Sequence, residues 1–134
     1  MRVSSVIVDT HIIIWDRLAP EKLSAEARRT ITEADKKHNL VICEISFWEI
    51  AMLIRKNRIV PELPFIEMMT DILDSRNYIL QGITPEIALL ATEMSIDTKD
   101  PADKLIAATS IVLGLPLISA DQFMRQSSEV RTIW

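Results

Sequence analysis

A chain of 134 residues is one domain by the usual size prior, spanning 1–134. Its 49% hydrophobic content and only two glycines exclude a disordered or low-complexity segment and favour a helix-rich core. The net charge of −4 argues against non-specific nucleic-acid binding by charge alone, although a divalent cation reverses the local sign of an acidic site.

Residues 3–8 are short and β-branched and stop at Asp9, the pattern of a buried strand. Ile12, Ile13, Ile14, Trp15 and Leu18 then predict a helix over 10–18 that Pro20 ends. Ser24 opens a charged amphipathic helix to about 37, with Ala27, Ile31 and Ala34 at helical spacing. Residues 40–42 read as a second strand. Ser46 and Glu49 ahead of an apolar run have the form of a capping box, which predicts a helix from 46 to about 56 with Glu49 in its first turn. A loop with two prolines follows over 57–64, then an amphipathic helix over 65–74. Residues 78–80 are a third strand, and Thr84-Pro85-Glu86 starts a helix to about 94. Asp100-Pro101 starts the next, with Asp100 as N-cap, Pro101 as first helical residue and Gly114 as its stop. Residues 116–118 are a fourth strand and 130–133 a candidate fifth. Short apolar strands alternating with helices predict an α/β domain around a mostly parallel sheet of four to five strands.

Cys43 is the single cysteine, so there is no disulfide framework and no cysteine-based zinc site, and a reducing, cytoplasmic setting is expected. Asp9 and His11 interrupt the first apolar run, which excludes it as a signal-peptide core. The uncharged run 105–120 contains Gly114 and Pro116 and falls short of the ~20 residues needed to span a bilayer. The positive mean hydropathy fits either a generous core or an apolar face covered by a partner.

Four carboxylates fall where strands end and helices begin: Asp9, Glu49, Asp103 and Asp121. Each has a structural explanation as a cap, a dipole partner or a turn residue. Together they form a pattern, because ligands of an open parallel sheet bind outside the carboxyl ends of its strands. Converging carboxylates need a positive charge between them, and an all-oxygen set favours a hard cation such as Mg²⁺ or Mn²⁺. Asp100 reads first as a helix cap and second as an outer acid of this set. His11 and His38 are given no role.

This set of residues resembles the PIN-domain nucleases, and within them the VapC-like toxins of type II (VapBC) toxin–antitoxin systems. Val8-Asp9-Thr10-His11 looks like the first acidic motif, and Ile45-Ser46-Phe47-Trp48-Glu49-Ile50-Ala51 like the second. Asp100-Pro101-Ala102-Asp103-Lys104 with the apolar run after it looks like the third, and Leu117-Ile118-Ser119-Ala120-Asp121 like the fourth. Two positions depart from the pattern: Lys104 stands where the family often has Arg, and Ser119 where it usually has Thr. Neither change removes a metal ligand, but Lys offers a phosphate a point charge rather than a bidentate fork.

The resemblance implies metal-dependent hydrolysis of RNA phosphodiester bonds. Asp9 and Asp103 would be the principal ligands of Mg²⁺ or Mn²⁺, completed by Glu49 and Asp121, with Ser119 and Asp100 in support. Arg55, Lys56 and Arg58, and Lys99 and Lys104 beside the third motif, are candidate RNA phosphate contacts. The resemblance further implies a toxin homodimer and a VapB-like antitoxin docked near Glu49. Phe47-Trp48 and the run 65–69 are either its surface or core. Two other classes stay open: an α/β phosphohydrolase with Asp9 as nucleophile, and a non-catalytic PIN-like binding module. Against the phosphohydrolase, the second Asp such an enzyme shows two residues on is here His11.

Overall fold

The computed structural model describes residues 5–94 and 100–134; the expected strand positions 3–4 and the candidate contact Lys99 lie outside them. Five strands form one sheet: β1 (Val6–Val8), β2 (Leu40–Cys43), β3 (Tyr78–Gln81), β4 (Leu117–Ile118) and β5 (Thr132–Ile133). Their order is β3-β2-β1-β4-β5 and every pairing is parallel. Helices α1 (Thr10–Leu18), α2 (Ala25–Lys36), α3 (Ile45–Arg55), α4 (Phe65–Asp74), α5 (Pro85–Glu93), α6 (Pro101–Leu113) and α7 (Gln122–Gln126) connect and follow them.

Strand alternation divides the core in two. Val6, Val8, Leu40 and Ile42 face Ile12, Ile13, Ile31, Ile50 and Ile72 of the first four helices. Ile7, Val41, Cys43 and Leu117 face Ile87, Ile106 and Met124 of the last three. A parallel sheet needs both faces covered, which is why the central strands β1, β2 and β4 are apolar and buried at every position. Cys43 belongs to the second layer, and burial pushes its thiol up to about 11, so it is an inert packing group.

Local chemistry sets most helix ends. Ser24 caps α2 through Ala27 N, Thr84 caps α5 through Ile87 N, and Asp100 caps α6 through Ala102 N with Pro101 as first helical residue. Gly114 closes α6 in the left-handed conformation, φ 65°. The capping box expected at Ser46 does not form. Helix α3 starts one residue earlier, at Ile45, and Glu44 precedes it without a side-chain cap. Ser46 is therefore inside the first turn, where its hydroxyl meets that of Thr10 at 2.9 Å, and Glu49 moves to the second turn. Helix α7 was not among the expected elements, being only five residues long.

The apolar segments proposed as partner surfaces split. Met68 and Met69 are buried and Phe47 packs on the core, whereas Trp48 and Ile66 are exposed, as are Val60 and Leu63 between them in the chain. Among the described residues no helix is long and apolar enough to cross a membrane.

Candidate metal centre

The chain runs from β1 outward through β2 to β3, then returns to place β4 on the other side of β1. Strand order therefore reverses at β1, and the crevice beyond the carboxyl ends of β1 and β4 is the natural ligand site of such a sheet. Asp9 directly follows β1 and Ser119 directly follows β4. With Val8 paired to Ile118, the two side chains meet, and Ser119 Oγ donates to Asp9 Oδ2 at 2.6 Å. The other oxygen of Asp9 accepts from Thr10 N at 2.8 Å. Asp9 is buried, and that burial raises its pKa, opposed by the Ser119 and Thr10 bonds and reinforced by nearby Asp121. Asp121 caps α7, its Oδ1 accepting from Phe123 N and Met124 N.

A tighter group lies beside this pair. Glu49 from α3 and Asp100 and Asp103 from the start of α6 present carboxylate oxygens within 4.8 Å of one another. Glu49 is buried, and its Oε1 has no hydrogen-bond partner. Its pKa is pushed up to about 9, by burial first and by the facing Asp100 second, with the Thr10 hydroxyl opposing and Asp103 adding to the rise. A buried carboxylate oxygen without a partner costs stability wherever it sits. Three carboxylates this close, one of them with a buried unpartnered oxygen, suit a hard divalent cation in number and kind, so the residues fit a metal ion.

All five acids line one cleft of about 520 Å³. His11, Trp15, Lys22, Leu53 and Arg58 also line it. Of the candidate RNA contacts, Arg58 lines this cleft, whereas Arg55 and Lys104 are not among its lining residues. The structure thus gathers Asp9, Glu49, Asp103 and Asp121 in one cleft and brings an oxygen of the capping Asp100 within 4.8 Å of those of Glu49 and Asp103. Sequence reasoning gave His11 no role and did not place Trp15 or Lys22 at the site. It also missed the buried Thr10–Ser46 hydroxyl pair that links α1 to α3. Thr10 next to Asp9 and Ser46 three before Glu49 were visible as polar residues flanking the acids, but their contact spans 36 residues.

A sequence model of the PIN domain matches residues 6–128. The chain belongs to the PIN-domain family. It is 32% identical over 134 residues to Ribonuclease VapC22 of Mycobacterium tuberculosis (strain ATCC 25618 / H37Rv), covering 98% of this chain and 99% of that one. Among solved structures it resembles VapBC2 from Rickettsia felis bound to a DNA fragment from their promoter. That match has a TM-score of 0.69 at 12% identity and covers 95% of this chain and 96% of the other. A toxin–antitoxin complex from Klebsiella pneumoniae matches with a TM-score of 0.61 at 20% identity, covering 94% and 95%. At such identities the two structures speak for the PIN fold alone. They agree with the α/β architecture and parallel sheet expected from the sequence.

Proposed function

We propose that this PIN-domain protein is a ribonuclease that cleaves RNA phosphodiester bonds with Mg²⁺ or Mn²⁺, acting as the single-domain toxin of a toxin–antitoxin pair. The observation that carries the reading is the cluster of Glu49, Asp100 and Asp103 carboxylates within 4.8 Å of one another, with Glu49 buried and its Oε1 unpartnered. Glu49 is neither a cap nor an ion-pair member among the described residues. The relative named as a ribonuclease supports the reaction class. Against a phosphohydrolase with Asp9 as nucleophile, the second Asp such an enzyme shows two residues on is here His11.

Asp9, Glu49, Asp103 and Asp121 are the catalytic acids of this reading. Glu49, Asp100 and Asp103 would hold the cation most directly, with Asp9 and Asp121 completing the acidic floor. A bound divalent cation supplies Lewis-acid charge for the phosphoryl oxygens and lowers the pKa of the attacking water. Ser119 fixes the Asp9 carboxylate by its short hydrogen bond, and the Thr10–Ser46 pair holds α1 and α3 in register. Arg58 offers a phosphate contact in the cleft, and Arg55 and Lys104 are proposed contacts outside its lining. A VapB-like antitoxin, a toxin homodimer and a cytoplasmic setting belong to the same proposal. Trp48 on the Glu49 helix, and Val60, Leu63 and Ile66 later in the chain, give such an antitoxin exposed apolar groups.

The metal assignment has a direct test. Burial and the facing Asp100 push the Glu49 pKa up to about 9, so this acid pair is expected to hold a proton at neutral pH in the ion-free protein. Cation binding needs the carboxylate, so the ion displaces that proton. Calorimetric titration with Mn²⁺ near neutral pH, repeated in buffers of different ionisation enthalpy, is expected to show about one proton released per ion. The release fades as pH rises through the pKa of Glu49 and is absent in Glu49→Gln. Ion binding with no proton release at neutral pH would remove Glu49 from the site.

A further inference from the structure

Thr10 stands between the two groups of acids and reaches both. Its backbone N–H donates to Asp9 Oδ1 at 2.8 Å. Its hydroxyl faces the Glu49 carboxylate and favours that group's charged form. The same hydroxyl meets Ser46 Oγ at 2.9 Å where α1 packs on α3. Thr10 and Ser46 are both fully buried. Apart from these two and Glu49, the buried residues of α1 and α3 are isoleucines: Ile12, Ile13, Ile14 and Ile50. Valine and alanine would fill the two positions at less cost, because a buried hydroxyl gives up its water. Ser46 and Glu49 lie three residues apart on α3, hence on one face of the helix, and Thr10 meets that face from α1.

A carboxylate only accepts hydrogen bonds, so a hydroxyl that bonds to it must donate. Thr10 has one hydroxyl proton. Giving it to Glu49 leaves the Thr10 oxygen to accept from Ser46, so the chain has one direction, from Ser46 through Thr10 to Glu49. We propose that Ser46 and Thr10 are positioning residues for the metal site: their directed hydroxyl chain holds the Glu49 carboxylate toward Asp100 and Asp103, as sharing one divalent cation requires. The inference rests on the metal reading of the cleft and adds to it the groups that set its geometry. Glu49 Oε1 keeps no partner, so the chain constrains the carboxylate without engaging both its oxygens. Because Thr10 also fixes Asp9 through its N–H, one residue sets the placement of both acids. Hydrogen-bonding partners behind a metal ligand fix its orientation, and losing one costs roughly ten- to a hundredfold in affinity.

The test uses Mn²⁺ alone, with no RNA present. Its dissociation constant is read by calorimetric titration and by loss of the free-ion paramagnetic resonance signal. Thr10→Val keeps the shape of the side chain and removes only the hydroxyl; it is expected to weaken Mn²⁺ binding roughly ten- to a hundredfold. Thr10→Ser keeps the hydroxyl and loses the methyl, and should bind nearly as the parent does. Ser46→Ala weakens binding by a smaller factor. Added to Thr10→Val it has no further effect, because Ser46 reaches Glu49 only through Thr10. A packing role predicts the reverse order, with Thr10→Val harmless and Thr10→Ser costly. Each variant is first shown folded by its melt in EDTA, and Ser46→Ala, the milder change, decides the outcome if Thr10→Val does not fold. Unchanged affinity in Thr10→Val or in Ser46→Ala, or losses that multiply in the double variant, would overturn the chain. Absence of Mn²⁺ binding by the unmodified protein, or full binding by Glu49→Gln, would overturn the metal reading itself and the chain with it.

Discussion

Glu49→Gln is expected to make the ion-free protein more stable while abolishing metal-dependent RNA cleavage. Glu49 is buried, faces Asp100 and Asp103, and leaves Oε1 without a partner. Its pKa is raised in the folded state to about 9 from 4.5. A raised carboxyl is neutral in both states below the lower value and destabilises the fold increasingly as pH climbs toward the higher one. Gln is neutral throughout and its amide can donate to the facing carboxylates. The variant's advantage should therefore be small at pH 4.5 and grow to pH 9, reaching about 0.5–2 kcal/mol, or roughly 2–8 °C in midpoint, at neutral pH. Activity should fall ~100-fold or more through the loss of an ion ligand. Thermal melts in EDTA across this pH range check the first half, and an RNA cleavage assay the second. A variant less stable than the parent at pH 8 would mean that Glu49 serves the fold.

Arg76→Met should have the largest effect on stability. Arg76 donates to both oxygens of Asp16 at 3.0 Å and to Asp35 at 3.2 Å, and Asp35 also accepts from Asn77 N at 2.7 Å. These bonds fasten α1 and α2 to the turn between α4 and β3. The Asp16 side chain is only 7% exposed, so removing the guanidinium leaves a nearly buried carboxylate uncompensated. The expected cost is about 3–5 kcal/mol, read as a shifted urea midpoint. Adding Asp16→Asn should restore part of it, because the stranded charge is then gone. Per folded molecule, cleavage should be unchanged, since Arg76 is not among the residues lining the acid cleft. A midpoint shift under about 0.5 kcal/mol would mean the triad is no stronger than an exposed ion pair.

The sheet was legible chiefly because β1, β2 and β4 are short apolar runs bounded by a charged residue or a proline, and both faces of a parallel sheet need such residues. Helix starts at Ser24, Thr84 and Asp100 were legible because a capping side chain acts within three residues of itself. The same local logic misread Ser46. Its hydroxyl had two available partners, the backbone of its own helix and Thr10, and tertiary packing selected Thr10. The acids were visible because the carboxyl ends of parallel strands converge, a property of topology that strand order alone supplies. Whether Asp100 only caps α6 or also joins the triad depends on how closely α6 approaches α3, which no local pattern encodes. The Arg76 network and the His11–Trp15–Trp134 cluster were hidden for the same reason: their partners lie 41 and 60 residues apart in the first, and at opposite ends of the chain in the second.

The most direct test is to incubate the purified protein with total cellular RNA in Mg²⁺ or Mn²⁺, then with EDTA, beside Asp9→Asn and Asp103→Asn shown by their melts to be folded. The expected result is a set of discrete cuts that need the ion, are lost in EDTA and are lost in both variants. Cleavage that persists in both variants, or proceeds unchanged in EDTA, would contradict a nuclease built on this acid cluster.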